Sequence, residues 1–221
     1  MEGSTMYKII PRNPWLVIGI SFALILSAGK AVQASSITDG LKATIDQVIS
    51  VVTDPQYQDD RQTRRAKMKG IIFPKFNFLE MGKRSLGSKR WKERSPEERK
   101  IFIDVFGKLL ENSYANKLES YHDEKINYVD EIVKGKYAMV KTEVIRKNGT
   151  VNVDYKLIRG GGEWRVYDIV VEGVSMIKNY RSQFARIIHQ DSFDTLMEKL
   201  NAKVDQLEDG QDGNQDDEDK I

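Results

Sequence analysis

The period at which apolar residues recur changes along this chain, and that change restricts the fold more than any other feature. In residues 95–121 they recur every three or four positions, as in an amphipathic helix. In residues 126–157 they recur mainly at every second position, as in strands with one covered face. Residues 164–171 are apolar on both sides, which predicts a central, covered strand. Helices, an antiparallel meander of about four strands and two further helices predict an α+β fold with a curled sheet.

The predicted elements begin and end at residues with known local preferences. Ser95-Pro96 and Glu98 form a capping box that begins a helix of roughly seven turns. Asp54-Pro55 marks the end of an earlier helix, and Asn148-Gly149 predicts a two-residue hairpin. At Glu172-Gly173 the strand pattern stops and helical spacing follows. We therefore expect the last strand to pass directly into a helix, and the sheet to curl around the long helix.

The first 34 residues have the organisation of a secretory signal peptide. Lys8 and Arg12 precede an uncharged run whose apolar centre is residues 15–26. Val32 and Ala34 then occupy the −3 and −1 positions of a small-residue cleavage site. The apolar centre is short for a spanning helix, although an uncleaved anchor is the alternative. The sequence predicts residues 1–34 as a signal peptide cleaved after Ala34, and export to the periplasm.

The other end of the chain is strongly acidic. Residues 208–221 contain seven acids and one lysine, and no large apolar residue before Ile221. A segment of this composition buries too little apolar surface to fold, so it predicts a disordered tail. Residues 35–207 are left as one folded domain.

Few residues in this chain are suited to catalysis or to metal binding. There is no cysteine, and the two histidines, His122 and His189, lie far apart in sequence. Asp168 with Ser175 and His189 could in principle form a catalytic triad, but nothing in the spacing supports it. We therefore expect no catalytic residues, no metal and no cofactor, and a protein that is not an enzyme.

Residues 61–94 are strongly basic. They contain twelve lysines and arginines against Glu80 and Glu93. Because the signal peptide predicts export, we expect no nucleic-acid partner. An acidic protein partner, an anionic membrane surface and a set of solvated helix faces remain open.

The apolar faces of the long helix, the strands and the helix after Gly173 have two interpretations. They fill a closed core, or they line a cleft that holds an apolar ligand. Periodicity alone does not separate these two.

A late motif, "WRVYDIVVEGVSMIKNYRSQF", resembles the signature of the MlaC / toluene-tolerance family of periplasmic phospholipid-binding transport proteins. The matching positions are Trp164, Tyr167-Asp168, Glu172-Gly173-Val174-Ser175, Asn179-Tyr180-Arg181 and Gln183-Phe184. Upstream support comes from Phe76-Asn77-Phe78, Leu86-Gly87, Trp91, Phe102, Phe106, Leu110, Tyr114 and residues 151–155. The resemblance covers residues 36–205, and asparagine at position 77 stands where the family commonly has aspartate.

The resemblance implies a lipid carrier with a deep apolar cavity for acyl chains. Such a carrier shuttles phospholipid between an outer-membrane lipoprotein–porin complex and an inner-membrane ABC transporter with an MCE-domain subunit. These roles serve outer-membrane lipid asymmetry and solvent tolerance. The cargo is phospholipid, with a hopanoid or another apolar lipid as the alternative. An exported adaptor without cargo is a further alternative.

Combined with the apolar periodicity, the resemblance predicts a lipid-binding lining. Its members are Val105, Phe106, Leu109, Leu110 and Tyr114 on the long helix, Val140, Val144, Val153, Tyr155 and Val171 on the strands, and Val174, Ile177 and Phe184 after them. Asp168 and Arg181 are interpreted as structural or rim residues. A lone buried carboxylate is costly, so we expect Asp168 to have hydrogen-bond partners.

Overall fold

Seven α-helices and an antiparallel sheet of five strands make up residues 37–121 and 123–209, the part of the chain that this computed structural model describes. The helices are α1 (Ile37–Thr53), α2 (Arg61–Ile72), α3 (Phe78–Leu86), α4 (Ser88–Lys92), α5 (Pro96–Glu119), α6 (Met176–Gln190) and α7 (Phe193–Glu208). The strands are β1 (Lys125–Lys134), β2 (Tyr137–Arg146), β3 (Gly149–Gly160), β4 (Glu163–Val171) and β5 (Val174–Ser175). The predicted α+β class is confirmed. The predicted signal peptide and nearly all of the acidic tail, residues 210–221, lie outside the described residues.

The sheet is a meander in which each strand pairs with the next one along the chain. Its fifth strand was not predicted, because two residues are too few to show a period. Glu172 and Gly173 have φ values of 49° and 78° and connect Val171 to its partner Val174. Two residues with positive φ suit the turn of a tight hairpin. The chain therefore makes a short hairpin before α6 and does not pass directly from β4 into the helix.

One face of the sheet carries mostly apolar side chains, and we call it the inner face. Cross-strand register places its members in rows, since directly paired residues share a face. The rows are Ile126, Val144 and Val151; then Tyr128, Thr142, Val153 and Val171; then Glu131, Val140, Tyr155 and Ile169; then Val133, Ala138, Leu157 and Val166. The opposite side, which carries Lys156 and Asp168, is the outer face.

Helix α1 lies on the inner face. Leu41 packs there in a buried group with Ala138, Val140, Leu157 and Val166, which we call the sheet cluster. At the start of α1, the backbone amide and hydroxyl of Thr38 donate to the Glu131 carboxylate at 2.8 and 2.6 Å. The apolar face of α1 and this polar contact hold the helix across the strands.

The long helix α5 has different neighbours from those expected. It packs mainly against α3 and α7, and its aromatic residues contact α6. Phe102, Phe106, Tyr180 and Phe184 are at most 1% exposed, and their ring centroids lie 5.2 to 5.8 Å apart. They form the centre of a second buried group, the helical cluster. The helix that covers the sheet is therefore α1, and α5 is the centre of a helical core.

A short segment joins the two clusters. Phe76 forms a parallel bridge with Val166 and packs against both clusters. The amide of Asn77 donates to the Val166 carbonyl at 2.8 Å, and its side chain accepts from the amide of Glu80 at 2.9 Å. Asn77 therefore pairs with β4 and also caps α3.

The carboxylate of Asp168 joins the sheet to α6. Asp168 is 5% exposed and lies on the outer face of β4. Its Oδ2 accepts from the Ser175 hydroxyl at 2.7 Å and from Lys156 Nζ at 3.2 Å, and its Oδ1 accepts from the Ile177 amide at 3.1 Å. Ser175 also caps α6 by accepting from the Lys178 amide at 3.1 Å. These partners compensate for burying the charge in an otherwise apolar strand.

Replacing Asp168 by alanine is expected to lower the free energy of unfolding by about 2–4 kcal/mol, because it leaves buried donors and a lysine without their acceptor. Urea denaturation of the purified protein measures this change. Asp154→Ala, on the outer face of the adjacent strand, is the matched control and should cost much less. Equal losses for the two variants would contradict the role assigned to Asp168.

Candidate lipid-binding site

The structure divides the predicted lining between two clusters. Phe106, Leu109, Leu110, Ile177 and Phe184 belong to the helical cluster, and Val105 and Tyr114 pack against it. Val140 belongs to the sheet cluster, and Tyr155 packs against that cluster. Val144 and Val153 are partly buried on the inner face, whereas Val171 and Val174 are 44% and 65% exposed. Residues of α5 and residues of the strands are therefore not brought together into one lining.

The helical cluster is filled by its own side chains. Phe106 contacts both Tyr180 and Phe184 edge to face, at centroid distances of 5.2 and 5.5 Å. Phe102 stacks on Phe106 at 5.7 Å. Contacts of this kind are typical of a close-packed core. For the members on α5 and α6, this packing favours the core interpretation.

The inner face of the sheet is covered less completely. The sheet cluster forms its buried centre, and its margins are only partly buried. The side chains packed around that centre are Ile37, Ile45, Phe76, Tyr128, Tyr155, Trp164 and Ile169. Val144, Val151 and Val153 continue the apolar surface along β2 and β3. A partly covered apolar face beside a helix suits a ligand that is mostly hydrocarbon.

A small number of polar groups lie on this face. The Thr142 hydroxyl donates to the Val153 carbonyl at 2.7 Å, and Glu131 accepts from Thr38. Burial raises the pKa of Tyr155 to about 12. Burial also raises the pKa of Tyr128 above its ordinary value, and the nearby Tyr155 and Asp46 raise it further. Both phenols therefore stay protonated at neutral pH, and each keeps a hydroxyl that is able to donate a hydrogen bond.

Tyr128 was not predicted as a site residue. The sequence places it only near the start of a strand. A register shift between Tyr128 and Asp130 decides which later residues of β1 share its face. A bulge of this kind leaves no clear mark in a short alternating pattern.

Arg181 lies on α6, beside the turn between α3 and α4. It is exposed on α6, and its guanidinium covers Gly87, at the turn between α3 and α4. A Cβ on Gly87 would lie 3.3 Å from Arg181 Nε, and Gly87 has a φ of 80°. Arg181 and Asp168 both lie away from the inner face, Asp168 because its side chain points to the outer face.

The basic segment 61–94 is partly neutralised within the fold. Arg61, Arg64 and Arg65 each contact Glu119 at 3.2 Å, and Lys69 contacts Glu111 at 2.7 Å. Burial alone would raise the pKa of Glu119, but Arg65 and Arg61 hold it below its ordinary value. These pairs attach α2 to the C-terminal half of α5. Many of the segment's charges therefore serve the fold.

A second basic group is free of such pairs. Lys83, Lys89, Arg90 and Lys92 have no ion pair within the described part of the chain. They lie in α3 and α4, the two helices that contribute Leu79 and Trp91 to an open surface groove of about 330 Å³. Its walls are Leu79, Trp91, Pro96, Arg99, Lys100, Ile103 and Asp104. This groove borders the helical cluster and is separate from the inner face.

The conceivable triad of Asp168, Ser175 and His189 is not assembled. Ser175 caps the N-terminus of α6, whereas His189 lies in its last turn. The 15-residue helix keeps them about 20 Å apart. Within residues 37–121 and 123–209, no three His, Cys, Asp or Glu side chains are grouped as a metal site would require. No helix in those residues has the length and apolar character needed to cross a bilayer.

Comparisons with known proteins agree with the resemblance in the late motif. The "Intermembrane phospholipid transport system binding protein MlaC" of Haemophilus influenzae is 31% identical over 159 residues, which cover 69% of this chain and 71% of that protein. The "Toluene tolerance protein ttg2D" of Pseudomonas putida is 30% identical over 142 residues, covering 63% of this chain and 66% of the relative.

A solved structure shares the fold. The phospholipid-binding protein of Ralstonia solanacearum, determined in complex with a phospholipid, superposes with a TM-score of 0.68. The superposition covers 76% of this chain and 96% of that one, at 23% sequence identity. Residues 42–202 match the family described as "MlaC protein". The chain therefore belongs to the MlaC family.

Proposed function

We propose that this protein is a phospholipid carrier that is not an enzyme, and that it binds acyl chains against the inner face of its sheet, beside α1. The observation that carries this proposal is the contrast between the two clusters. The helical cluster is filled by its own rings, whereas the inner face has partly buried apolar margins. Membership of the MlaC family and the names of its relatives support phospholipid as the cargo.

The energetics of hydrocarbon in water explain why a carrier needs such a face. Each buried methylene contributes about 0.8 kcal/mol, so a diacyl lipid leaves a membrane only if most of its hydrocarbon stays covered. Contacts with hydrocarbon are not directional. We therefore expect the protein to discriminate weakly among headgroups. The predicted lining on Val140, Val144, Val153 and Tyr155 is retained in this proposal, with α1 in place of α5 as the covering helix.

The location and partners of the carrier are part of the same proposal. The protein works in the periplasm and exchanges lipid with an outer-membrane lipoprotein–porin complex and an inner-membrane ABC transporter that has an MCE-domain subunit. The relatives' names, which refer to intermembrane transport and toluene tolerance, support this assignment. Co-purification of such membrane proteins with a tagged chain tests it, and their consistent absence after crosslinking in cells would contradict it.

Two alternatives remain for the cargo. A hopanoid or another apolar lipid would also fit an apolar face, and an adaptor would carry nothing. Mass spectrometry of lipid extracted from gently purified native protein separates the three. Phospholipid supports the proposal, a hopanoid changes the cargo, and the absence of lipid favours the adaptor.

Val153→Glu is expected to abolish retention of phospholipid, because the new carboxylate would have to be desolvated against hydrocarbon. Native mass spectrometry of the protein after incubation with phospholipid vesicles measures the bound fraction. Ile145→Glu makes the same chemical change on the outer face, where Ile145 is 38% exposed. That control should retain lipid as the parent does. A folded Val153→Glu variant that binds as well as the parent would exclude the inner face as the site.

Export is expected to produce a mature protein that begins at Ser35, since Val32 and Ala34 form the cleavage signal. Intact-mass measurement of protein from the periplasmic fraction tests this. A chain that keeps residues 15–26 and fractionates with membranes would show that the segment is an anchor.

A further inference from the structure

The Tyr128 side chain lies on the partly covered inner face, and its hydroxyl is buried there. The ring packs against the sheet cluster on the inner face. Its hydroxyl oxygen has almost no accessible area, and no hydrogen-bond partner for it exists among the described residues. Such a group costs free energy comparable to a lost hydrogen bond, so buried polar atoms in native proteins nearly always have a partner.

Two polar neighbours of Tyr128 have other partners, and a third, the protonated phenol of Tyr155, forms no hydrogen bond with the Tyr128 hydroxyl. Thr142, directly opposite on β2, donates to the Val153 carbonyl. Asp46 of α1, which acts electrostatically on Tyr128, forms an ion pair with Lys42 at 2.6 Å. The protonated phenol of Tyr128 is therefore left without a hydrogen-bond acceptor among the described residues.

In the described part of the chain, Ser113 Oγ and Arg64 Nε are also buried without a partner, but their surroundings differ. Ser113 is fully buried on α5, next to the helical cluster. Arg64 lacks a partner only at Nε, and its other nitrogens donate to Tyr57, Gln58 and Glu119. Of the three, Tyr128 lies on the partly covered apolar face that the proposed function assigns to lipid.

We propose that the Tyr128 hydroxyl donates a hydrogen bond to an ester carbonyl of the bound phospholipid, where the acyl chains join the glycerol. This inference rests on the proposed function and adds a polar anchor to an otherwise apolar site. Ester carbonyls are the polar atoms of a diacyl lipid that directly adjoin its hydrocarbon. An ester carbonyl is a neutral acceptor, so a buried phenol can donate to it without a cation nearby to offset a charge.

A headgroup phosphate fits this position less well. A buried phosphate needs cationic partners to offset its desolvation. The charged group that acts on Tyr128 is the carboxylate of Asp46, which repels an anion. The anchor therefore recognises the ester linkage of the lipid and leaves the headgroup free to vary.

Competition between two lipids tests the proposal. The protein is incubated with vesicles that contain equal amounts of a diacyl phosphatidylcholine and a dialkyl ether phosphatidylcholine with chains of equal length. The ether lipid keeps the phosphate and lacks both carbonyls. Native mass spectrometry gives the ratio of the two lipids bound. We expect the parent to prefer the diester roughly threefold to tenfold, the worth of one net hydrogen bond.

Tyr128→Phe is expected to bring that ratio close to one, with total binding still detectable. Tyr121→Phe is the matched control, since its hydroxyl donates to the Glu124 carbonyl at 2.7 Å, and it should keep the preference of the parent. Lipid-free Tyr128→Phe should be at least as stable as the parent, because the lost hydroxyl had no partner. A purely structural role would instead lower its stability and leave the ratio unchanged.

Three results would overturn the inference. The first is a parent protein that shows no preference for the diester lipid. The second is a Tyr128→Phe variant that keeps the preference of the parent. The third is a Tyr128→Phe variant that loses both lipids equally, which would indicate a contact with the phosphate. In each case the parent protein still binds phospholipid, so the proposed function stands. Failure of the parent to bind either lipid would instead refute the proposed function.

Discussion

The hydrogen bonds of the Asp168 carboxylate determine how the sheet and the helical cluster are arranged. It holds together Lys156 of β3, Ser175 of β5 and the amide of Ile177 at the start of α6. Because Ser175 is also the cap of α6, the position of that helix follows from the end of the sheet. Helix α6 supplies Tyr180 and Phe184 to the rings around α5. The helical cluster is thus attached to the outer face and edge of the sheet, whereas α1 and Phe76 pack against the sheet cluster on the inner face.

In this arrangement the helical cluster stabilises the fold, and the inner face of the sheet is available to bind lipid. The rings of the helical cluster pack against one another and against α7. The helical cluster therefore needs no lipid to be well packed. The inner face is covered by α1, and Thr38 at the start of that helix donates to Glu131 of β1. A carrier needs this combination, since lipid must enter and leave without unfolding the core. The polar groups on the inner face are few, and the buried Tyr128 hydroxyl has no hydrogen-bond partner among the described residues.

Much of this architecture follows from local sequence signals. The capping box at Ser95 and Glu98 marks the start of α5, and both of its hydrogen bonds are present. The five-residue helix α4 and the two-residue strand β5 escape prediction because neither is long enough to show a period. Apolar periodicity shows that a face is covered but does not show which element covers it, so Phe106 and Val140 could not be assigned to different clusters from sequence. Tyr128 became recognisable only when register and burial placed an unpaired hydroxyl on the inner face.

Photocrosslinking tests most directly the claim that the inner face, and not the helical cluster, holds the cargo. The protein is loaded with a phosphatidylcholine that carries a diazirine midway along one acyl chain, irradiated and digested, and the modified residues are mapped by tandem mass spectrometry. The account predicts modification of inner-face residues of β2 and β3, such as Val144 and Val153. Modification concentrated at Phe106, Phe184 and their neighbours on α5 and α6 would contradict it.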